Sequence, residues 1–260
     1  MIHPFREVGT SGSEPMETVL AEFGDVSMEL LQARALLKRV DRKYLLRREW
    51  LEPMLLQLNA DYRLLRAAGQ VAATYQTRYF DTADRHLYQD HRRGRRPRYK
   101  VRLRHHVDRR LSFLEIKCKG RGALTAKAVL SRPFGCESLD AEALRFIDTH
   151  CPYPADSLRA SVANAFQRVT LVGESVNERL TVDWDLEMAD DRRSVRLPGL
   201  VIVEIKQARY SNSTPAARAL RHLHVREGSI SKYCLATARL ATVRTNTFKP
   251  ALRAVERFSA

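Results

Sequence analysis

The sequence predicts an α+β protein: an antiparallel β-barrel with a cationic lumen and helices packed outside it. Three observations predict this. First, Arg98–Lys119 reads as a hairpin of two strictly alternating strands. Arg98, Lys100, Arg102 and Arg104 fall on one side of the first strand, and Tyr99, Val101 and Leu103 on the other. After Asp108-Arg109-Arg110, the return strand sets Glu115, Lys117 and Lys119 against Leu114, Ile116 and Cys118. Second, most other strand-like segments repeat this division into a charged face and an apolar face. Third, cations set opposite each other repel, by about 1 kcal/mol at about 4 Å even in bulk water. A charged face therefore needs either open solvent or an anion. If helices cover the apolar backs, the charged faces point into one shared cavity.

The elements follow in order. Residues 1–26 form an irregular arm with Gly9, Gly12 and Pro15, and a short helix over 16–23. Ser27 caps a helix running to about Leu37, with Leu30, Leu31 and Leu37 as its apolar stripe. A strand at 38–47 puts Arg39, Asp41 and Lys43 on one face and Val40, Tyr44 and Leu46 on the other; Arg42 interrupts the apolar side. A helix at 49–59 turns Trp50, Met54, Leu55 and Leu58 inward, and Pro53 is tolerable only in its first turn. A Thr- and Tyr-rich strand covers 71–80, and a short helix 84–91. Arg92–Pro97 is a basic loop. After the central hairpin, a strand over 123–131 carries Lys127, and a helix spans 139–150.

A second β region follows. The segment 165–172 places Arg168 and Thr170 together. In 178–186, Arg179, Thr181, Asp183 and Asp185 share one face, opposite Leu180, Val182, Trp184 and Leu186. In 200–206, Ile202, Glu204 and Lys206 oppose Val201, Val203 and Ile205. Residues 214–224 and 232–243 read as helices. No linker or internal repeat interrupts the chain. The expected organisation is one domain over 27–245 and a C-terminal tail over 246–260.

Composition narrows the function classes. The net charge of +15 and a pI near 10.1 call for a polyanionic partner, and the basic residues lie inside strands rather than in a tail. No apolar run reaches the roughly 18 residues of a membrane span. Cys118, Cys136, Cys151 and Cys234 are scattered with no C-x-x-C pair, which points to reduced thiols in a cytoplasmic protein and away from zinc. The eight histidines show no metal-ligand spacing.

The polar faces carry Lys43, Arg102, Arg104, Lys117, Lys127, Arg168, Arg179 and Lys206 among few carboxylates. With these residues in place, the chain resembles the triphosphate tunnel metalloenzymes, and more closely their polyphosphate polymerase branch, the catalytic domain of the vacuolar transporter chaperone complex and its bacterial relatives. The resemblance is carried by R-V-D-R-K-Y-L-L at 39–46, Y-F-D-T at 79–82, R-Y-K-V-R-L-R at 98–104, L-E-I-K at 114–117, V-E-I-K at 203–206 and S-K-Y at 231–233. It implies an antiparallel tunnel of about eight strands.

The resemblance also implies roles. Lys43 corresponds to the first-strand lysine, and Arg102 and Arg104 to the paired phosphate-binding cations. Lys117, Lys127, Arg168 and Arg179 correspond to later lumen cations, Glu204 to the metal-binding glutamate, and Lys232 to the lysine opening the last helix. Lys206 joins the phosphate-binding set. Asp183 reads equally as a second metal ligand or a structural residue, and Glu115 reads as a salt-bridge residue before a ligand. Hydrolytic relatives carry E-x-E-x-K on the first strand. Here those positions are Arg39, Asp41 and Lys43, which leaves fewer metal ligands and favours the polymerase branch.

The implied function is transfer of the γ-phosphate of ATP to the end of a polyphosphate chain, releasing ADP, with Mn²⁺ or Mg²⁺ as cofactor. The alternatives are a metal-dependent tri/polyphosphatase of the same fold and a non-catalytic polyphosphate-binding module. The expected partners are ATP and polyphosphate. Nucleic acid is not expected, because the strand cations alternate without aromatic stacking partners; the sequence leaves a membrane-protein partner and the oligomeric state open. Such chemistry asks for positioning and charge stabilisation more than covalent work. A cation in the first turn of the helix capped by Ser231 opposes the helix dipole, so Lys232 makes sense with an anion beside it.

Overall fold

The computed structural model describes residues 14–36, 39–121, 125–228 and 231–259. The strands are β1 (Val40–Arg47), β2 (Tyr62–Leu64), β3 (Ala73–Asp81), β4 (Arg98–His106), β5 (Leu111–Lys119), β6 (Thr125–Arg132), β7 (Arg159–Gly173), β8 (Glu178–Ala189), β9 (Ser194–Leu197), β10 (Leu200–Gln207) and β11 (Glu227–Gly228). The helices are α1 (Glu14–Ala21), α2 (Met28–Ala33), α3 (Leu51–Leu56), α4 (His86–Arg92), α5 (Ala141–His150), α6 (Pro215–His222), α7 (Lys232–Leu240) and α8 (Lys249–Ser259).

The strands form one antiparallel sheet in the order β11-β1-β10-β8-β7-β3-β4-β5-β6, with β2 pairing on β7 and β9 on β8. Among the described residues β6 does not pair with β1 or β11, so hydrogen bonds do not close the sheet. This corrects the closed barrel of about eight strands. The sheet is nevertheless rolled. Lys43 on β1 and Lys117 on β5 lie six strand steps apart, roughly 29 Å on a flat sheet. Yet after burial, the Lys43 charge is what most lowers the Lys117 pKa. The inner faces of the two strands therefore approach across a concavity.

Two apolar clusters lie outside the roll. In one, Tyr44, Leu46, Val182, Val203 and Ile205 pack under α1, α3 and α6. In the other, Val101, Leu103, Leu114 and Ile116 pack under α4 and α5. A third cluster contradicts the expectation that helices cover only the backs. It joins Tyr79, Val162, Phe166, Leu186, Met188 and Ile202 to Tyr233, Leu235, Ala236 and Leu240. Ile202 shares a strand face with Glu204, so α7 lies on the concave side and fills one end of it.

A bulge makes that apolar end. Between β7 and β8 the register shifts as Ala165↔Glu187 gives way to Gln167↔Trp184, leaving Asp185 and Leu186 opposite Phe166. Asp185 takes a left-handed conformation, φ 50°. The extra residue resets the alternation, so Leu186 joins the inner cluster rather than the face of Trp184.

Several local readings hold. The Ser27 hydroxyl accepts from Leu30 N at 3.2 Å, but the helix it caps ends at Ala33, short of Leu37, and buries none of its residues; Leu37 lies outside the described residues. The central hairpin pairs Arg98↔Lys119 through His106↔Leu111; Arg110 turns it in the left-handed region, φ 51°, without glycine. Arg42, the interruption on β1, is 5% exposed and fully engaged. Its guanidinium donates to Glu227 at 3.0 Å, the Ser211 carbonyl at 2.7 Å and Asn212 at 2.8 Å, and lies over the Tyr210 ring at 4.3 Å. The stretch 246–260, expected as a tail, carries α8, which packs Leu252, Val255 and Phe258 on the inner cluster.

Candidate active site

Register places the cations. Lys100, Lys117 and Lys127 form one row across β4, β5 and β6. Arg102 sits opposite Glu115 in the next row. Lys43 pairs with Glu204, which pairs in turn with Thr181. Arg168 sits opposite Asp183. All occupy the concave face.

Three carboxylates organise these charges. Glu115, 3% exposed, accepts from Arg102 Nε at 2.6 Å and Lys127 Nζ at 2.5 Å, with Arg104 Nη1 at 3.8 Å. Burial pushes its pKa up, but the three cations outweigh that and hold it at about 2. Glu115 is thus a salt-bridge hub and not a free metal ligand. Asp183 is held in a fork by Arg168, Nε to Oδ1 at 2.5 Å and Nη2 to Oδ2 at 2.7 Å, and also accepts from Lys232. Burial would raise its pKa, but Arg168 and Lys232 hold it well below the carboxylate range.

Glu204 is held more loosely. Lys43 and Lys206 each stand 3.9 Å away. Burial raises its pKa, while Lys43, Lys206 and Arg168 bring it to about 2. It stays charged with its oxygens not tightly engaged.

Other expected residues spread around this centre. Lys206 also donates to Thr181 Oγ1 at 3.3 Å. Arg104 donates to Thr77 at 3.4 Å. Arg179 turns toward the rim, where it donates to the Leu31 carbonyl at 2.5 Å and its Nε has no partner.

Lys100 is a candidate that was not placed in the site on sequence grounds. Burial lowers its pKa to about 7; Cys234 opposes this, and Lys43, Lys117 and Arg102 add to it. No hydrogen bond or ion pair to a carboxylate engages Lys100 or Lys117 among the described residues. Its signal was present in the sequence, since it alternates with Arg98 and Arg102. The stacked rings of Tyr75 and Phe166, which lie among the cations, were missed as well. Their presence corrects the expectation of cations without aromatic neighbours.

A divalent ion is implied by the resemblance. Among the described residues no three His, Cys, Asp or Glu side chains gather into a metal cage. Glu204, with Asp41 on the same inner face of neighbouring β1, fits a different arrangement: one hard carboxylate ligand, with substrate phosphates and water completing the shell of Mg²⁺ or Mn²⁺.

Fold and face together define a rolled antiparallel sheet whose inner side carries an excess of Lys and Arg. Residues 38–133, which hold β1 to β6, match the family model of the VTC domain. No curated protein matches the chain in sequence. Among solved structures, the chain is similar to bh2851 of Bacillus halodurans, described as an adenylate cyclase candidate. There the identity is 15% and the TM-score 0.45, covering 78% of this chain and 97% of the other. The PH1819 protein of Pyrococcus horikoshii matches at 13% identity and TM-score 0.44, covering 77% and 96%. HpAC1 of Hippeastrum, an adenylyl cyclase candidate described as having a dominant triphosphatase activity, matches at 12% and 0.45, covering 79% and 98%. No helix among the described residues is long and apolar enough to cross a membrane.

Proposed function

We propose that the concave face binds the phosphates of ATP and of a polyphosphate chain and transfers the γ-phosphate to the chain end. A terminal polyphosphate oxygen forms the new P–O bond as the β–γ bridging P–O bond breaks, and ADP leaves. The observation that carries the proposal is the row Lys100-Lys117-Lys127 beside Arg102 and Arg104. Among the described residues two of its lysines, Lys100 and Lys117, make no ion pair with a carboxylate, and burial and neighbouring cations lower the pKa of both, an arrangement that a bound polyanion relieves. The VTC domain match over 38–133 supports the polyphosphate class.

In this proposal Lys100, Arg102, Arg104, Lys117 and Lys127 hold equatorial phosphate oxygens from one side, and Lys43 neutralises charge from the other. Arg168 and Lys206 bind further along the chain, with Arg179 at the rim. Lys232, held by Asp183, aims an ammonium at the transferring phosphoryl group. Glu204 would hold the divalent ion, which when bound neutralises charge on the phosphates. Water-excluding walls come from the apolar end under α7. Nucleic acid fits poorly: Phe166 is fully buried and Tyr75 is flanked by two guanidinium groups, so neither ring offers a stacking platform.

The test is incubation with ATP, Mn²⁺ and a short polyphosphate primer, followed by gel electrophoresis and ADP measurement. The expected result is a ladder of longer chains with matching ADP. Phosphate release without a ladder would show hydrolysis and overturn the polymerase proposal. Tight binding without ADP or phosphate would leave a binding module.

A further inference from the structure

Crowding cations on one face requires something that holds them apart when no anion is bound. Carboxylates do part of this. Arg104, Arg168 and Lys232 share a second support. The Tyr75 and Phe166 rings stack with centroids 5.5 Å apart and planes within 4°. Arg104 lies 5.7 Å and Arg168 5.1 Å from the Tyr75 centroid. Arg168 lies 5.2 Å and the Lys232 ammonium 4.3 Å from the Phe166 centroid. Each ring thus carries two cations, and Arg168 bridges both. All four distances fall inside the range where a ring quadrupole attracts a cation.

The backbone builds this arrangement deliberately. The β8 bulge opposite Phe166 carries the sheet from its cationic stretch to its apolar end, so a fully buried ring lands beside Arg168 and under Lys232. An aliphatic side chain would fill the space but would offer no negative face.

We propose that Tyr75 and Phe166 are positioning residues, a stacked cation–π spine that sets the spacing of Arg104, Arg168 and Lys232 so that all three meet one phosphate chain. The proposal rests on the phosphate-binding reading of this face. The spine acts through the cations and does not touch the reacting atoms. Without it the cations keep their charge but lose their common aim.

The test has two arms on the full chain. In the first, ¹H–¹⁵N spectra of arginine Nε–H groups in the free protein should show Arg104 and Arg168 displaced by ring currents. In Tyr75→Leu the displacement should be lost for Arg104 and reduced for Arg168, which keeps Phe166 beneath it, and in Tyr75→Phe both should be kept. In the second, calorimetric titration with inorganic tripolyphosphate should show affinity falling about tenfold in Tyr75→Leu and in Phe166→Leu, a change of about 1.4 kcal/mol. Tyr75→Phe should stay within about twofold of wild type. Leu252→Ala, which loosens the same apolar cluster from α8 and lies outside the bulge, should bind as wild type does. If Phe166→Leu fails to fold, the half-buried Tyr75 variant decides alone. Undisplaced arginine signals, or leucine variants of full affinity, or equal weakening by Leu252→Ala, would overturn the spine and leave the phosphate-binding reading intact. Displaced signals with no tripolyphosphate binding by the wild type would instead sink that reading, reducing the spine to packing.

Discussion

Replacing Lys100 by methionine keeps most of the side-chain volume and removes one charge from the most crowded row. Burial and neighbouring cations lower the Lys100 pKa from 10.5 to about 7 in the folded protein. Between those two values the unfolded chain binds more protons at this group than the folded one. Stability therefore rises with pH across the window from about 7 to about 10, and the penalty is fully present below it. Lys100→Met carries no such penalty. Its stability advantage over wild type should be greatest near pH 6 and should shrink by roughly 2–3 kcal/mol by pH 9. That corresponds to roughly 5–10 °C in the difference between the two melting temperatures. Other cysteines and tyrosines also titrate in this range but are common to both proteins and cancel in the difference; Cys234, which interacts with Lys100, is removed from both by Cys234→Ser. The assay is paired thermal unfolding in matched ionic strength at several pH values. A variant-minus-wild-type difference that stays flat from pH 6 to 9 would refute the claim that Lys100 is a buried, unrelieved cation. So would a difference that grows.

Other outcomes follow from the same face. Asp183→Asn leaves Arg168 and Lys232 buried without their counter-ion and should cost about 3 kcal/mol in urea unfolding; millimolar tripolyphosphate should restore part of it, and a neutral effect would remove Asp183 from its role. Lys232→Ala should abolish turnover of ATP while the circular dichroism spectrum and melting curve stay near wild type, because Arg168 still holds Asp183. Glu204→Gln should remove Mn²⁺- or Mg²⁺-dependent turnover but leave metal-free tripolyphosphate binding unchanged or tighter. Weaker metal-free binding would mean that Glu204 shapes the site rather than holding an ion.

Much of this face could be read from residue order alone. Strict alternation over 98–104 and 111–119 fixes both register and side, and the structure pairs these strands as expected. Glu115 shows why a carboxylate inside a cationic strand reads first as a salt bridge: three cations converge on it. What was not legible has physical causes. The Asp185 bulge breaks the two-residue period by one backbone torsion, and no residue type announces it. The side of the sheet that α7 covers is hidden too, since its apolar stripe would suit either face. Closure of the barrel depends on contacts between chain-distant edges, β6 and β1, and periodicity carries no information about them. Arg42 looked like an error on an apolar face, because its partners Ser211, Asn212 and Glu227 lie far along the chain. Short strands such as β2 and β9 carry too few residues for alternation to register.

The most direct test is a crystal structure of the protein soaked with tripolyphosphate and Mn²⁺. Phosphate density should lie inside the rolled sheet, within hydrogen-bonding reach of Arg102, Arg104, Lys117 and Lys232, with the ion touching Glu204. Phosphate bound only at exterior basic residues such as the 92–97 loop, with the concave face holding none, would contradict the account.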